Sequence, residues 1–254
     1  MDKYFFKKSK AEVLFDLSKK KLRFAVPKTY FFNLEKWHSN KVTILKKIIS
    51  FFKYHRIKLV AIRSSASEED NFNISNAGKF SSELNIPLEK RKLNLAINKI
   101  IGSYKKFGKK KLYLKNQILI QEMITNTSMS GVIFTKDRDT GASYYSINYD
   151  DVTGLTDTVT SGLGKYSNKT LFIYRSADKQ IRSPRFRKLI TAVKDLEKKV
   201  TSNNLDIEFC LTKNLVPYLL QVRRITLNNK VDESFNYKLN KELKKIEQKI
   251  APKF

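Results

Sequence analysis

Cysteine is almost absent from this sequence, whose 254 residues contain only Cys210. A single cysteine excludes an internal disulfide framework and fits a reducing compartment, so we expect a cytoplasmic protein. No apolar run approaches the ~20 residues that are needed to cross a bilayer. The first residues, "MDKYFFKKSK", also lack the apolar segment of a signal peptide. We therefore expect no association with a membrane.

Acidic residues are scarce as well. Asp and Glu number 24 against 51 Lys and Arg, which gives a formal net charge of +27. Such a surplus suits nucleic acid, an anionic membrane or a phosphorylated ligand. Lysine is spread over nearly every predicted helix, whereas arginine makes most base-specific contacts, so the surplus favours solvated helix faces. A basic nucleic-acid-binding module stays open as an alternative.

Histidine occurs twice, and neither His38 nor His55 lies in a metal-ligand or catalytic-triad arrangement. Both lie in helical patterns, where a structural role is the expected one. The chain also lacks the glycine spacing of a Walker A phosphate loop. These absences leave carboxylates, guanidinium groups and amides as the candidate chemical groups.

Hydrophobic spacing divides the chain into two parts. Amphipathic patterns dominate residues 1–115, which we predict to form a helix-rich front lobe around one or two strands. Short β-branched and aromatic runs dominate residues 116–227, which we predict to form a strand-rich back lobe with one helix that starts at Pro184. Residues 228–254 predict a charged helical linker toward another domain. The predicted fold class is α+β.

Three pairs of polar residues are spaced by two along predicted strands, so the side chains of each pair point to one face of a sheet. Two adjacent carboxylates repel unless a cation or a shared proton compensates, and hard oxygen ligands suit Mg²⁺. A guanidinium group matches phosphate oxygens. Charged and apolar residues also alternate in any half-solvated strand, so one pair alone indicates little. The pairs are Asp206 and Glu208, Gln221 and Arg223, and Arg63 and Ser65.

In order along the chain, several segments resemble the ATP-binding domain shared by phosphoenolpyruvate synthase and pyruvate phosphate dikinase, which has an ATP-grasp fold. The family motif V-A-V-R-S-S-A-x-x-E-D is similar to "VAIRSSASEED" at residues 60–70, and S-x-A-G-Q is similar to "SNAGK" at 75–79. The motif Q-x-M-V followed by S-G-V-x-F-T-x-D-P-x-T-G is similar to "QEMITNTSMSGVIFTKDRDTG", where Arg138 replaces the proline. The motif G-L-G-E-x-V-V-S-G is similar to "GLTDTVTSG", and the D-I-E and L-Q-x-R motifs to "DIEFCLTKNLVPYLLQVR". The resemblance covers about residues 10–223.

The resemblance implies a nucleotide site in the cleft between the two lobes, with ATP and Mg²⁺ as its cofactors. Arg63 and Arg223 take catalytic roles at the phosphates, Asp206 and Glu208 hold the metal, and Gln221 contacts phosphate oxygens. The remaining implied nucleotide contacts are a lid loop with Ser75, Ala77 and Gly78, an adenine hinge with Gln121, Glu122, Met123 and Ile124, and two single positions, Lys10 and Asp157.

Two departures from the family pattern affect this site. Lys8 and Ser9 replace two glycines before Lys10, so its phosphate contact is in question. Asp157 replaces a glutamate and is one methylene shorter. A degenerate ATP-grasp domain that acts only as a scaffold is therefore a further alternative.

The resemblance also implies a reaction. Members of the family pass phosphate through a histidine on a separate swivelling domain, and they yield AMP, phosphate and a phosphorylated acceptor. Neither histidine of this chain lies in the corresponding motif, so we expect both the histidine domain and the acceptor domain as partners. The acceptors of similar proteins are pyruvate, rifamycin antibiotics and the amide nitrogen of glutamine in capsule phosphoramidate synthesis. The lysine- and asparagine-rich composition favours the L-glutamine branch.

Overall fold

The structure is a computed structural model that describes residues 7–65, 82–107, 110–153, 169–225 and 233–250. Within these ranges the chain forms two antiparallel β-sheets flanked by α-helices, which confirms the α+β class. The first sheet has the strand order β1-β4-β2-β3, and the second has the order β7-β6-β5-β8-β9.

The bounds of the elements follow in chain order. The helices are α1 (Lys10–Ser18), α2 (Leu34–Tyr54), α3 (Lys90–Phe107), α4 (Pro184–Val200) and α5 (Glu233–Ile250). The strands are β1 (Thr29–Asn33), β2 (Leu59–Ser65), β3 (Ser82–Pro87), β4 (Gln117–Glu122), β5 (Thr127–Phe134), β6 (Tyr144–Asp150), β7 (Lys169–Tyr174), β8 (Leu205–Thr212) and β9 (Pro217–Arg224).

Helices α2 and α3 cover one face of the four-stranded sheet and form its hydrophobic core. Helix α2 begins at Leu34, because the Asn33 side chain accepts a hydrogen bond from the Lys36 N–H at 3.0 Å and caps the helix. Asn40 has non-helical dihedral angles inside this helix (φ −142°, ψ 43°). The helix is therefore broken directly before the amphipathic run that starts at residue 41.

Helices α1 and α4 pack on one face of the five-stranded sheet. Strand β8 presents Leu205, Ile207, Phe209 and Leu211 to that core, and none of the four is exposed to solvent. Helix α4 begins at the proline that the sequence placed in its first turn. Because side chains alternate along a strand, the intervening residues of β8 lie on the opposite face.

Two strands differ from the sequence-based expectation. Strand β3 was not predicted, since "SELNIP" offers little apolar alternation, and it pairs with β2 as an edge strand. Strand β4 was predicted within the back lobe, but it lies between β1 and β2 in the first sheet. Periodicity indicates a strand and not the sheet it joins. The chain therefore changes sheets between Glu122 and Thr127, and the lobe boundaries themselves stay predictions.

Helix α1 connects the two sheets near their meeting edge. Its N-terminus has a capping box in which the Ser9 side chain accepts from the Glu12 N–H and the Glu12 side chain accepts from the Ser9 N–H. Ser9 also donates to the Gln117 side chain at 2.6 Å, which fixes the helix to the start of β4. Ser9 is therefore the N-cap of α1.

Among the described residues, no helix combines the length and the apolar character that crossing a bilayer requires.

Candidate functional site

The predicted carboxylate pair lies on the face of β8 that points away from α4. Asp206 is 6% exposed, and its Oδ2 accepts a hydrogen bond from Arg223 Nε at 2.7 Å. Burial raises the pKa of Asp206, the arginine opposes this rise, and the neighbouring Glu208 carboxylate adds to it. The Asp206 carboxylate therefore depends on nearby positive charge to stay ionised.

A β-bulge in β9 brings Gln221 and Arg223 to the same face as the carboxylates. Asp206 is directly opposite Arg223 and Glu208 is opposite Gln221, with a register shift before Phe209, which pairs with Leu219. The extra residue is Leu220. Because Leu219 packs in the helix-side core, an unbulged strand would turn Gln221 and Arg223 to that same side. The bulge is what assembles the four predicted side chains.

Arg63 reaches this cluster from the other sheet. Its Nη1 lies 3.3 Å from Glu208 Oε2, and this ion pair spans from β2 to β8. The Nε atom of Arg63 is buried and has no hydrogen-bond partner among the described residues. An unsatisfied N–H of a buried guanidinium is costly, and an oxyanion in the cleft would satisfy it. The structure thus brings together five predicted residues, namely Arg63, Asp206, Glu208, Gln221 and Arg223.

Lys10 lies at the end of β2 that follows Arg63. The Ala11 N–H donates to Ser65 Oγ at 3.1 Å, so the first turn of α1 abuts the strand that carries Arg63. The Ser65 N–H donates a hydrogen bond to Tyr104 Oη at 2.7 Å. Ser65, the partner of Arg63 in the third predicted pair, therefore anchors the first turn of α1, in which Lys10 lies.

The predicted adenine hinge runs along the exit of β4. Two backbone N–H groups of this segment already have hydrogen-bond partners. The Glu122 N–H donates to Lys28 O at 2.8 Å, and the Met123 N–H donates to Leu59 O at 3.0 Å. The Glu122 side chain accepts from the Lys28 N–H at 3.0 Å. A base in this position would therefore use the N–H of Ile124 and the carbonyl groups of the segment.

An apolar cluster adjoins the charged cluster on the same face. Ile124, Cys210 and Leu220 are buried together, and Tyr218 packs against them. Gln121, which was predicted to belong to the hinge, donates its side-chain Nε2 to Leu220 O at 3.2 Å and so ties the two sheets together. This face therefore has an apolar end near the hinge and a charged end near Asp206.

The oxygen donors of the cluster fit a hard divalent cation. Mg²⁺ binds one or two protein carboxylates and completes its shell with water and phosphate oxygens. Asp206 and Glu208 supply two carboxylates on one face, and the described ranges contain no larger group of three or more His, Cys, Asp or Glu side chains suited to a metal. The pair fits a cation that is shared with a bound phosphate.

Four predicted contacts lie outside the described residues, namely Ser75, Ala77, Gly78 and Asp157. Another residue near the cluster was noted in the sequence only as a departure from the family motif. Arg138 stabilises the charged form of Asp206 electrostatically. The sequence signal for this residue was that an arginine replaces the motif proline. Only the pairing of the strands shows that it lies near Asp206.

A separate cavity lies on the other side of the five-stranded sheet. Its volume is about 820 Å³, and Arg175, Glu197 and Arg224 are among its lining residues. Arg224 follows Arg223 in the strand and points to the opposite face. This cavity is therefore separate from the carboxylate–guanidinium cluster.

The described residues thus define an α+β protein in which two sheets converge on paired carboxylates and guanidinium groups, an arrangement suited to phosphate. Residues 41–181 match the family model described as pyruvate phosphate dikinase, AMP/ATP-binding domain. This match covers more than half of the chain, and the chain belongs to that family.

A curated relative agrees with this membership. The chain is 27% identical over 191 residues to an uncharacterized phosphotransferase, YvkC, of Bacillus subtilis (strain 168). The aligned region includes 70% of this chain and 22% of the relative. The chain therefore spans about a fifth of the length of that protein.

Solved structures with a similar arrangement include D-alanine–D-alanine ligase from Helicobacter pylori, with a TM-score of 0.43 and 13% identity over 91% of this chain and 56% of the ligase. A RimK domain ATP-grasp protein from Sphaerobacter thermophilus DSM 20745 has a TM-score of 0.42 and 11% identity over 87% of this chain and 59% of that protein.

Proposed function

We propose that this chain is the ATP-grasp nucleotide-binding part of a dikinase-type phosphotransferase, and that it binds ATP with Mg²⁺ between its two sheets. Family membership supports an ATP-binding module of the kinase or dikinase type. The transfer reaction, the metal and the individual contacts are the parts that we add.

One observation carries the proposal. The face of β8 and β9 has an apolar end, with Ile124, Cys210 and Leu220, and a charged end, with Asp206 and Arg223. A nucleoside triphosphate has the same polarity, with an aromatic base at one end and a charged phosphate chain at the other. The hinge segment adjoins the apolar end, which supports a position of the base at that end and of the phosphates at the arginines.

Each group has a distinct role in this arrangement. Asp206 and Glu208 would hold Mg²⁺, which neutralises charge on the phosphate oxygens. Arg63 and Arg223 would exchange part of their present contacts with carboxylates for phosphate oxygens, and the buried Nε of Arg63 would gain a partner. Fixed positive groups around a transferring phosphoryl group lower the barrier, because they do not have to reorganise during the reaction.

Isothermal titration with ATP, with and without Mg²⁺, tests the proposal. We expect the chain to bind ATP more tightly with Mg²⁺ than without it, and the variant Asp206→Asn to lose at least about tenfold in Mg·ATP affinity, because a charged ligand oxygen is removed. The matched control is Asp195→Asn, which removes the same charge from α4, where Asp195 accepts a hydrogen bond from the Arg23 N–H.

Two results would contradict the proposal. If the wild-type chain binds neither ATP nor ADP, there is no nucleotide site. If binding to polyanions is independent of Mg²⁺, falls steeply with salt and is the same in both variants, the net charge and not the cleft is responsible, as expected of a nucleic-acid-binding module.

The finer parts of the proposal concern the partners. We propose that the phosphoryl group passes to a histidine on a separate swivelling domain, with AMP and phosphate as products, and that L-glutamine is the first acceptor to test. The isolated chain is then expected to bind ATP and to phosphorylate no small molecule. Sustained phosphorylation of an acceptor by this chain alone would contradict that division of labour.

A further inference from the structure

We propose that Arg138 is a third phosphate-binding guanidinium of the candidate nucleotide site, and that it contacts the β- or γ-phosphate of ATP directly. This inference rests on the proposed function and assigns a ligand contact to a residue at a position where the family motif has proline. Three features of the molecule lead to this assignment, namely the turn, the strand register and the charge balance.

The first feature is the turn that carries Arg138. Asp137 Oδ1 accepts hydrogen bonds from the Thr140 N–H at 2.8 Å, from Thr140 Oγ1 at 2.6 Å and from the Asp139 N–H at 3.2 Å. The Gly141 N–H also donates to Asp137 O at 2.9 Å. These bonds hold the turn whatever the next side chain is. Arg138 occupies the second position of the turn, where proline is favoured. An arginine there adds a charged group without changing the backbone conformation of the turn.

The charge state of Asp137 agrees with its role as the hydrogen-bond acceptor that holds the turn. Burial alone would raise its pKa, but the hydrogen bonds from Thr140 and Asp139 outweigh burial and hold the pKa below its ordinary value. Asp137 is therefore a carboxylate that is already engaged by its own turn.

The second feature is the register of β5 against β8. The Arg138 guanidinium carbon lies 5.1 Å from the centre of the Phe134 ring. Phe134 is directly opposite Asp206 in the antiparallel ladder, as Val132 is opposite Glu208. Side chains of opposed residues share a face, so the ring on which Arg138 stacks stands beside the carboxylate of the cluster. Arg138 thus approaches from β5 while Arg223 approaches Asp206 from β9.

The third feature is charge. Asp206 already has an ion pair with Arg223 at 2.7 Å, and one carboxylate does not need two guanidinium groups for neutrality. Arg138 is a second arginine near Asp206, and it is partly exposed and stacks on the Phe134 ring. Its N–H donors exceed what Asp206 needs. A polyphosphate that carries several negative charges accounts for this excess, whereas a purely structural pair does not.

The test compares Arg138→Gln with the wild type in nucleotide titrations. We expect affinity for ATP to fall roughly tenfold to a hundredfold, the range for a hydrogen bond between charged groups, and affinity for AMP to change less than about twofold. Arg138→Lys should recover part of the loss, because it keeps the charge and loses the fork. Arg138→Pro should bind like Arg138→Gln and melt within a few degrees of the wild type, because the turn accepts proline.

The matched control is Arg224→Gln. It removes one positive charge two strands away on the opposite face of the same sheet, where Arg224 lines the separate cavity. We expect ATP affinity to change less than about twofold in this variant. An equal loss in both variants would overturn the inference in favour of the long-range field of a basic protein.

Metal-free titrations distinguish direct contact from an effect through Asp206. If Arg138 contacts phosphate, Arg138→Gln weakens ATP both with Mg²⁺ and in EDTA. A loss that occurs only with Mg²⁺ would overturn direct contact, and so would an unchanged ATP affinity in all Arg138 variants. Failure of the wild type to bind any adenine nucleotide is a different result, because it removes the proposed nucleotide site itself.

Discussion

The two faces of the five-stranded sheet each carry an arginine–glutamate pair, and the pairs are built differently. On the helix side, Arg175 forms two 2.8 Å bonds to Glu197, one from each terminal nitrogen. The same glutamate accepts from Tyr145 Oη at 3.0 Å, and Arg175 also donates to Thr135 O at 2.9 Å. On the cleft side, Arg63 and Glu208 have one contact of 3.3 Å.

Burial does not explain this difference. The side chains of the helix-side pair are 25% and 8% exposed, and those of the cleft-side pair are 15% and 17% exposed. What differs is how completely the donors and acceptors are satisfied, since Arg63 retains a buried N–H without a partner among the described residues. A saturated pair stabilises one arrangement, whereas an incompletely satisfied pair can exchange its partners for a ligand. The comparison therefore separates a structural ion pair from a candidate binding pair.

The largest expected difference concerns the two glutamates. Glu197→Gln should lower the free energy of unfolding by about 3 kcal/mol, because it leaves a partly buried guanidinium without its counter-charge. Glu208→Gln should cost less than about 1 kcal/mol, because the amide oxygen can keep the single contact with Arg63 and the repulsion between Glu208 and Asp206 is removed. Urea denaturation of both variants measures the two values. Equal losses would show that the cleft-side pair is as structural as the helix-side pair.

A smaller effect is expected from Cys210, at the apolar end of the cleft face. Burial raises the pKa of this thiol to about 12 from its ordinary 9.0, although Arg63 favours the thiolate. The unfolded chain therefore releases the proton first as pH rises, so the thiol costs stability from about pH 9 up to pH 12. At pH 10 the cost should be about 1 kcal/mol relative to pH 8.

The variant Cys210→Ala isolates this thiol. All other titrating groups are the same in both proteins, so the difference in unfolding free energy between wild type and variant should shrink as pH rises from 8 to 10. A difference in unfolding free energy that is independent of pH would mean that the thiol is solvated in the native state. Water would then reach the apolar end of the cleft face.

Much of the cluster could be predicted from the sequence because strands repeat every two residues. Asp206 and Glu208 lie on a regular stretch of β8, where that rule holds without exception. Gln221 and Arg223 do share a face with each other. Their meeting with the carboxylates depends on the bulge at Leu220, and no residue type in "PYLLQVRR" indicates a bulge there.

Other features could not be predicted because they depend on long-range pairing. Strand β4 follows the helical part of the chain in sequence but lies between β1 and β2, a choice made by tertiary contacts. Arg138 lies 68 residues before Asp206 in the sequence, and only the pairing of Phe134 with Asp206 makes them neighbours. The resemblance to a family identified the positions that match the family motifs. Arg138 replaces a motif proline, so the resemblance assigned it no role.

The smallest expected effect concerns the hydroxyl that saturates the helix-side pair. Tyr145 is fully buried and donates to Glu197, so Tyr145→Phe removes one hydrogen bond to a charged acceptor while the ring and its stacking with Arg175 at 4.5 Å are kept. The unfolding free energy should fall by about 1 kcal/mol, because the two guanidinium bonds still satisfy the carboxylate. In the double variant with Glu197→Gln, the additional loss should be smaller than in the single variant, because the acceptor is no longer charged. Strict additivity would show that the hydroxyl does not act through Glu197, and the helix-side pair would then be less saturated than its geometry indicates.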